Sequence, residues 1–401
     1  MSVAKCFAGA VAALLPTFFY CGPAKADEHM ALVEQIDVNS PKGLGAFDIS
    51  FVDPKLGLYV LGDRTNASVD FFDSRFNTFI GRVAGFKGVV LNADGTANNS
   101  LSGPDGVAIV GNEVWAGDGD STVKVIDIAT FQVTATISTG GQKRCDEMAW
   151  DAADHLLAVA NNADTPPFVT MINTDTHEVI GKIVFDGTKG TPDATSTGIE
   201  QPQWSPRTGL FYVSVPQIDP NDATQGGVSV IDPAKLQVTA TFPVSNCTPA
   251  GLTLGPGEQV LIGCSASFGT APNVLTQSLI ISSKDGRVLQ SFPQVGGSDE
   301  VWYDAASHHY YLAARNNTDS SGKITPVLGT IDAVTLQYDG GVATSTSAHS
   351  VAADRLSHHV FVPIGSVAAG TSDPTNPCPK TGCIAVYLPS AIDSDDRVAK
   401  R

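Results

Sequence analysis

A short apolar segment recurs along this chain at intervals of 41 to 57 residues, and in five of its seven copies a carboxyl side chain comes just before it. Seven segments share this pattern, and the residues at the shared place are Asp48, Asp105, Asp146, Glu200, Ala250, Asp299 and His349. The next residue is polar in four of the segments, as Glu147, Gln201, Glu300 and Ser350. Carboxylates that converge repel one another, so some must be protonated, hydrogen-bonded or neutralised by a cation.

The segments that carry these residues belong to an internal repeat. Each begins with a polar residue and an apolar run, then a turn and a second apolar strand, as in FDISFVDPKLGLYVLGD (47–63) and DEVWYDAASHHYYLAA (299–314). A second strand pair follows, as in TVKVIDIATFQVTATI (122–137) and GVSVIDPAKLQVTATF (227–242). The β-branched content and the Asp- and Gly-rich turns are typical of strands. Seven such copies predict an all-β, seven-bladed β-propeller over residues 27–389, with strands A to D in each blade.

The seventh copy lacks a fourth strand. It supplies strands A and B and, in CIAVYLP (383–389), strand C. The segment LVEQIDV (32–38) lies just before the first copy and belongs to no other blade. We therefore expect this N-terminal strand to complete the last blade, because a closed ring leaves no open sheet edge.

The strand motifs VKVIDIATFQVTATI and VSVIDPAKLQVTATFPV and hairpins such as TGLFYVSV resemble the YncE-like, YVTN-type seven-bladed propeller proteins. The resemblance covers nearly all of residues 31–389. It implies the propeller fold, and it implies that the site lies on the face formed by the D–A and B–C loops. It does not select one activity, because the family includes lactonase-like enzymes, electron-transfer subunits and binding proteins.

On that fold, strand A is innermost, so the recurring side chains should meet at the mouth of the central channel. B–C loops add further polar residues on the same face. The predicted ligand-binding residues are Asp48, Asp63, Arg64, Asp105, Asp146, Asn161, Glu200, Asp299 and Arg315. Glu147, Glu300 and His349 are the predicted acid–base residues. Glu147, Glu200 and Asn161 offer oxygen ligands for a divalent cation such as calcium or magnesium. The alternative is structural: acids at these places can bond to backbone amides of the neighbouring blade.

Most histidines are predicted at turns on the opposite face. The paired motifs at His308 and His309 and at His358 and His359 lie 50 residues apart in A–B turns, and His155 lies in another such turn. They are interpreted as solvent-facing turn residues, with a surface metal site as the alternative.

The first 26 residues predict export. Lys5 precedes an apolar run, and Ala24-Lys25-Ala26 is a small-x-small cleavage site, typical of a secretory signal peptide; a retained anchor is the alternative. We expect a periplasmic or secreted protein, no transmembrane segment in the mature chain, and a C-terminal tail at 390–401. Export permits disulfides, with Cys378 and Cys383 close in sequence and Cys247 and Cys264 flanking one hairpin. Cys145 is left over, either as a buried thiol or as a reactive one.

Composition narrows the function further. The formal net charge is −17, which argues against nucleic acid and against anionic membrane surfaces. No phosphate loop, Gly-x-Ser-x-Gly elbow or CxxCH motif occurs.

The first hypothesis is an exported propeller that binds a small molecule, a cation or a protein partner at its acidic channel mouth. The second is a metal-dependent or acid–base hydrolase or isomerase acting on a lactone or sugar-like substrate. The third is a subunit of an exported redox complex.

Overall fold

The computed structural model describes residues 30–265, 276–367 and 371–389, and this part of the chain contains strands and turns but no helix. Accordingly, no described segment is a helix that could cross a membrane. The strands form seven antiparallel four-stranded sheets, which confirms the predicted seven-bladed propeller. The predicted signal peptide at 1–26 and the tail at 390–401 lie outside the described residues.

Strands A to D of the first six blades follow one another along the chain. Blade 1 contains β2 (Ser50–Asp53), β3 (Leu58–Asp63), β4 (Ser68–Asp73) and β5 (Thr78–Ala84). Blade 2 contains β6 (Val107–Val110), β7 (Glu113–Gly117), β8 (Thr122–Asp127) and β9 (Gln132–Ser138). Blade 3 contains β10 (Met148–Asp151), β11 (Leu156–Asn161), β12 (Phe168–Asn173) and β13 (Glu178–Val184). Blade 4 contains β14 (Pro202–Ser205), β15 (Leu210–Val215), β16 (Gln225–Asp232) and β17 (Gln237–Ser245). Blade 5 contains β18 (Pro249–Leu254), β19 (Gln259–Cys264), β20 (Gln277–Ser282) and β21 (Val288–Phe292). Blade 6 contains β22 (Val301–Asp304), β23 (His309–Ala314), β24 (Val327–Asp332) and β25 (Gln337–Ala343).

The seventh blade joins the two ends of the described chain. Its strands are β26 (Ala352–Ala353), β27 (Val360–Ile364), β28 (Cys383–Pro389) and, as the outermost strand, β1 (Met30–Ile36). β1 pairs antiparallel with β28, with Met30 opposite Pro389 and Ile36 opposite Ile384. The predicted closure by an N-terminal strand is confirmed, although the strand begins and ends two residues earlier than expected.

The hydrophobic core lies between neighbouring blades. One cluster joins Val60 and Phe71 of blade 1 to Val107 and Val114 of blade 2. Burial of each such side chain stabilises the fold by about 1.5–3 kcal/mol. The A strands contact one another around the ring, and β2 contacts β26 to close it. This packing places the start of every A strand beside the channel.

The A–B turns explain the histidines. One residue in the A–B turn of each of the seven blades has a positive φ, and these residues are Gly57, Gly111, His155, Gly209, Gly257, His308 and His358. Glycine adopts this left-handed conformation without strain, and histidine is enriched there among other residues. The turn geometry therefore accounts for one histidine in each of the three blades that carry them.

The cysteines pair as expected from their spacing. Cys247 is bonded to Cys264 across Cα atoms 4.8 Å apart, and Cys378 is bonded to Cys383 across 5.4 Å. Cys145 is a free, fully buried thiol. Burial raises the pKa of Cys145 to about 12, and a thiol that stays protonated is a weak nucleophile and metal ligand. The interpretation of Cys145 as a buried thiol is the one that fits this environment.

Candidate functional site

A cavity of about 360 Å³ opens at the mouth of the channel, where the D–A and B–C loops meet. Eight of the predicted site residues line it: Asp48, Arg64, Asp146, Glu147, Glu200, Asp299, Arg315 and His349. They come from blades 1, 3, 4, 6 and 7, so the ring brings together residues that are up to 301 positions apart. Its volume is within the range of small-molecule pockets, about 300–1,000 Å³.

Arg64 joins the first two blades on the wall of this cavity. Its guanidinium bonds to both Asp48 and Asp105, with Nε of Arg64 2.9 Å from Oδ1 of Asp105. Asp105 does not line the cavity but lies fully buried behind this contact. Arg64 and Asp105 are therefore removed from water. In such buried surroundings, a charge-assisted contact of good geometry offsets much of the desolvation penalty.

Arg144 is a site residue that the sequence analysis missed. Nη2 of Arg144 lies 2.7 Å from Asp146, Nη1 lies 3.1 Å from Asp48, and Nε donates to Asn162 at 3.2 Å. The residue lies in the D–A loop, two positions before Asp146, which itself precedes strand A of blade 3. That position was the available signal, because D–A loops lie on the same face as the starts of the A strands.

These arginines separate the pKa values of neighbouring aspartates. Burial opposes ionisation of Asp48, but Arg64, the His349 contact and Arg144 hold the pKa of Asp48 below its usual range. Burial raises the pKa of Asp146 to about 6, with Arg144 opposing the shift and Asp48 adding to it. Asp48 is therefore ionised at neutral pH, whereas Asp146 titrates at a pH slightly below neutral.

His349 and Arg315 complete the paired groups of the cavity. Nδ1 of His349 lies 2.8 Å from the Ser347 carbonyl oxygen, and Nε2 lies 3.3 Å from Oδ1 of Asp48. The imidazole stacks on Phe47 with ring centroids 4.6 Å apart. Nη2 of Arg315 lies 2.7 Å from Oδ2 of Asp299. All three cavity arginines are thus already engaged by aspartates.

Glu147 and Glu200 are the unpaired acids of the cavity. Both are more than nine-tenths buried, and among the described residues neither forms an ion pair. Oε2 of Glu147 is buried with no hydrogen-bond partner in this part of the chain. Burial is the main cause that raises the pKa of both groups well above the usual value, and nearby acids such as Asp146 raise it further. Their ionised forms would be stabilised by a positive charge placed in the cavity.

Glu300 lies outside the cavity and is held by the neighbouring blade. Its Oε2 accepts hydrogen bonds from the Ser350 hydroxyl and from the backbone N–H of Val351, the latter at 3.1 Å. This is the structural role that the sequence analysis set against an acid–base role. Glu300 is 2% exposed and does not line the cavity.

Two other predicted site residues also lie away from the cavity. Asp63 accepts hydrogen bonds from the backbone N–H and side-chain amide of Asn66 in its own B–C turn. The amide nitrogen of Asn161 donates to Thr139 at 2.8 Å, and its oxygen accepts from Thr170 at 2.8 Å. Asn161 is fully buried by these contacts, so the structure does not bring it together with Glu147 and Glu200 as a set of metal ligands.

Within the described ranges, one group of three side chains has potential ligand atoms that all lie within 4.8 Å of one another, close enough to surround a metal ion. It consists of His309, Asp332 and Asp339 in strands B, C and D of blade 6, near the A–B and C–D turns rather than at the cavity. Oδ1 of Asp332 also accepts two backbone N–H groups of its own turn. The preformed three-residue arrangement is thus on the face opposite the channel mouth.

Comparison with known proteins supports the fold and goes no further. No protein-family model matches the chain, and no curated protein matches it. A solved structure of hydrazine synthase from Kuenenia stuttgartiensis is similar, with a TM-score of 0.59 and 15% identity over 81% of this chain and 93% of that one. A chain of a mitotic checkpoint complex is also similar, with a TM-score of 0.60 and 10% identity over 96% of this chain and 98% of that one. At such identities the likeness shows a shared β-propeller architecture, and a shared fold does not by itself indicate a function.

Proposed function

We propose that this protein is an exported binding propeller of the YncE-like type, which holds a small polar molecule in the cavity at its channel mouth. The observation that carries the proposal is the state of the cavity wall. Its arginines form ion pairs with aspartates, whereas Glu147 and Glu200 are buried there with no ion-pair partner among the described residues. Buried polar groups without partners are destabilising, and a bound ligand is one way in which the missing contact is supplied when such a group lines a cavity.

Two disulfides support the exported location, because such bonds persist in oxidising compartments. A divalent cation alone is less well supported as the occupant. Glu147 and Glu200 lack the third oxygen ligand that Asn161 was expected to supply. The polar walls and the volume favour an organic molecule with several hydrogen-bonding groups.

The test is a thermal-shift screen of the purified protein against small amines, amino acids, sugars and dicarboxylates. A ligand present at 1,000 times its Kd stabilises the native state by about 4 kcal/mol. We expect at least one class to raise the Tm, and an Ala46→Trp variant, which fills the cavity without removing a charge, to lose that effect. Equal shifts in both proteins, or none with any class, would overturn the proposal.

The alternative function is acid–base catalysis on a lactone or sugar-like substrate. The observation that favours it is the aspartate pair held by Arg144, in which Asp48 stays ionised and the pKa of Asp146 is about 6. Two carboxyl groups with separated pKa values suit a general acid and a general base. Hydrolysis of simple lactones, with an apparent pKa near 6 that an Asp146→Asn variant abolishes, would establish this function.

A further inference from the structure

The A strands of neighbouring blades are joined by a repeated contact, which we call the inter-blade tie. In each tie, the side chain of the second residue of the repeat accepts the backbone N–H of the third residue in the next blade. Three ties are present: Gln201 with Leu252 at 2.6 Å, Glu300 with Val351 at 3.1 Å, and Ser350 with Ser50 at 2.9 Å. The third residue of the repeat can donate in this way because it lies at the inner edge of its sheet.

The second-position residues around the ring are Ile49, Gly106, Glu147, Gln201, Gly251, Glu300 and Ser350. Glycine occurs where backbone fills the side-chain space, since a Cβ on Gly106 would lie 2.0 Å from the carbonyl oxygen of Asp146. Isoleucine needs no polar partner. In the part of the chain that the structure describes, Glu147 is therefore the one polar residue at this position that makes no tie.

The reason lies in the next blade. The residue that should donate to Glu147 is Pro202, the first residue of β14. Proline has no backbone N–H, and at the inner edge strand its presence removes no ladder bond. The glutamate that faces it is thus left without the donor that its counterpart Glu300 receives from Val351.

The other groups that face Glu147 are acidic. Asp146, Glu200, Glu300 and Asp299 all disfavour its ionised form. The nearby arginines do not compensate, because Arg144 is bonded to Asp48 and Asp146, and Arg315 is bonded to Asp299. An occupant that carries positive charge and N–H donors would satisfy Glu147 and relieve the repulsion at the same time.

We propose that the ligand is a small organic cation, an ammonium or guanidinium compound, and that Glu147, released from the inter-blade tie by Pro202, anchors its charged group with Glu200 as the second contact. This inference rests on the proposed binding function. The N–H groups of the cation donate to the carboxylate of Glu147, and the proton that this carboxyl carries in the empty protein passes to solvent. Affinity consequently increases with pH through the range in which Glu147 loses its proton.

The experiment is isothermal titration calorimetry with three probes that share a four-carbon chain: 1,4-diaminobutane, 1,4-butanediol and succinate. We expect the diamine to bind, with the diol and the dicarboxylate at least tenfold weaker. Glu147→Gln should weaken the binding of the diamine at least tenfold. The matched control is Glu300→Gln, at the same ring position in blade 6, which should stay within about threefold of the wild type because Gln201 makes the same tie with an amide oxygen.

The outcomes separate this inference from the proposed function. Preferred binding of succinate or butanediol, or full diamine affinity in Glu147→Gln, would overturn the cation and its anchor while a ligand-binding cavity remains. Failure of all three probes, together with a thermal-shift screen in which no other class binds, would overturn both. Proton release on diamine binding, measured as a dependence of the heat on buffer ionisation enthalpy, supports the anchor independently of protein stability.

Discussion

Glu147 and Glu300 occupy equivalent positions in blades 3 and 6 but have opposite surroundings. Each is the second residue of its repeat and each is buried. Glu300 faces Val351 and Ser350, which both donate to it. Glu147 faces Pro202 and has no donor among the described residues. The comparison teaches that the role of a carboxyl group in this ring depends on the backbone of the next blade, about 50 residues away.

The largest expected effect is on the pH dependence of stability. The pKa of Glu147 in the folded protein lies well above that of the unfolded chain, so the folded state holds the proton more tightly. Stability is therefore lost as pH rises above about 4.3, at up to about 1.4 kcal/mol per pH unit for this group. Glu147→Gln removes this loss. Its unfolding free energy, from urea titrations between pH 5 and pH 8, should exceed that of the wild type increasingly as pH rises.

Glu300→Gln provides the control for that slope. Burial also raises the pKa of Glu300, but its bonds to Ser350 and Val351 oppose the shift. The increase in unfolding free energy at pH 8, relative to the wild type, should therefore be smaller for Glu300→Gln than for Glu147→Gln. Equal gains would mean that the inter-blade tie does not distinguish the two carboxyl groups.

The second effect concerns truncation of the same two side chains. Glu300→Ala leaves the Ser350 hydroxyl and the Val351 N–H without their acceptor, and an unsatisfied buried group costs about 1–3 kcal/mol. Glu147→Ala removes no such contact. Denaturation at pH 5 should show Glu300→Ala to be the less stable variant by at least about 1 kcal/mol, and the reverse order would contradict the structural role of Glu300.

A third prediction introduces the missing donor. Pro202→Ala gives β14 a backbone N–H that can complete a tie with Glu147. A double-mutant cycle with Glu147→Ala cancels the loss of proline rigidity. The coupling should be stabilising by about 0.5–1.5 kcal/mol, and Pro202→Ala should bind 1,4-diaminobutane more weakly. A coupling of zero would show that Pro202 is not the cause of the unpaired state of Glu147.

The smallest effect is expected for Glu300→Gln at pH 5, where the loss of charge matters least. The amide oxygen of Gln201 already accepts the N–H of Leu252 at 2.6 Å. A glutamine at position 300 should do the same, and the change in unfolding free energy should stay below about 0.5 kcal/mol. A larger loss would mean that the charge of Glu300, and not its acceptor oxygen, maintains the junction between blades 6 and 7.

Much of the fold follows from local sequence. Strand patterns and turn residues recur in every blade, and the missing fourth strand of the last copy predicts the closure by β1 because strand pairing leaves only one place for it. The turn histidines follow from local sequence as well. They are interpreted as turn residues, with a surface metal site as the alternative, and the positive φ of His155, His308 and His358 fits the turn interpretation.

The site was predictable only in part. The sequence places Asp48, Asp146 and Glu200 at equivalent strand starts, so their convergence follows from the repeat. It does not show that the side-chain amide of Asn161 is hydrogen-bonded to Thr139 and Thr170, since those partners lie in other strands and loops. Nor does it show that Arg144 reaches back 96 residues to Asp48.

By itself, the sequence determined the seven blades, the closing strand, the cysteine pairs and the acidic character of the channel mouth. These depend on alternating hydrophobicity and turn chemistry, which act over a few residues at a time, and on the spacing of the repeat, which can be counted along the chain. The tertiary structure alone decided which acids are neutralised and which are left unpaired. Hydrogen bonds and ion pairs operate over about 3 Å, and at that scale the partners of Asp48, Glu147 and Glu300 are set by which blade stands next to them in the ring.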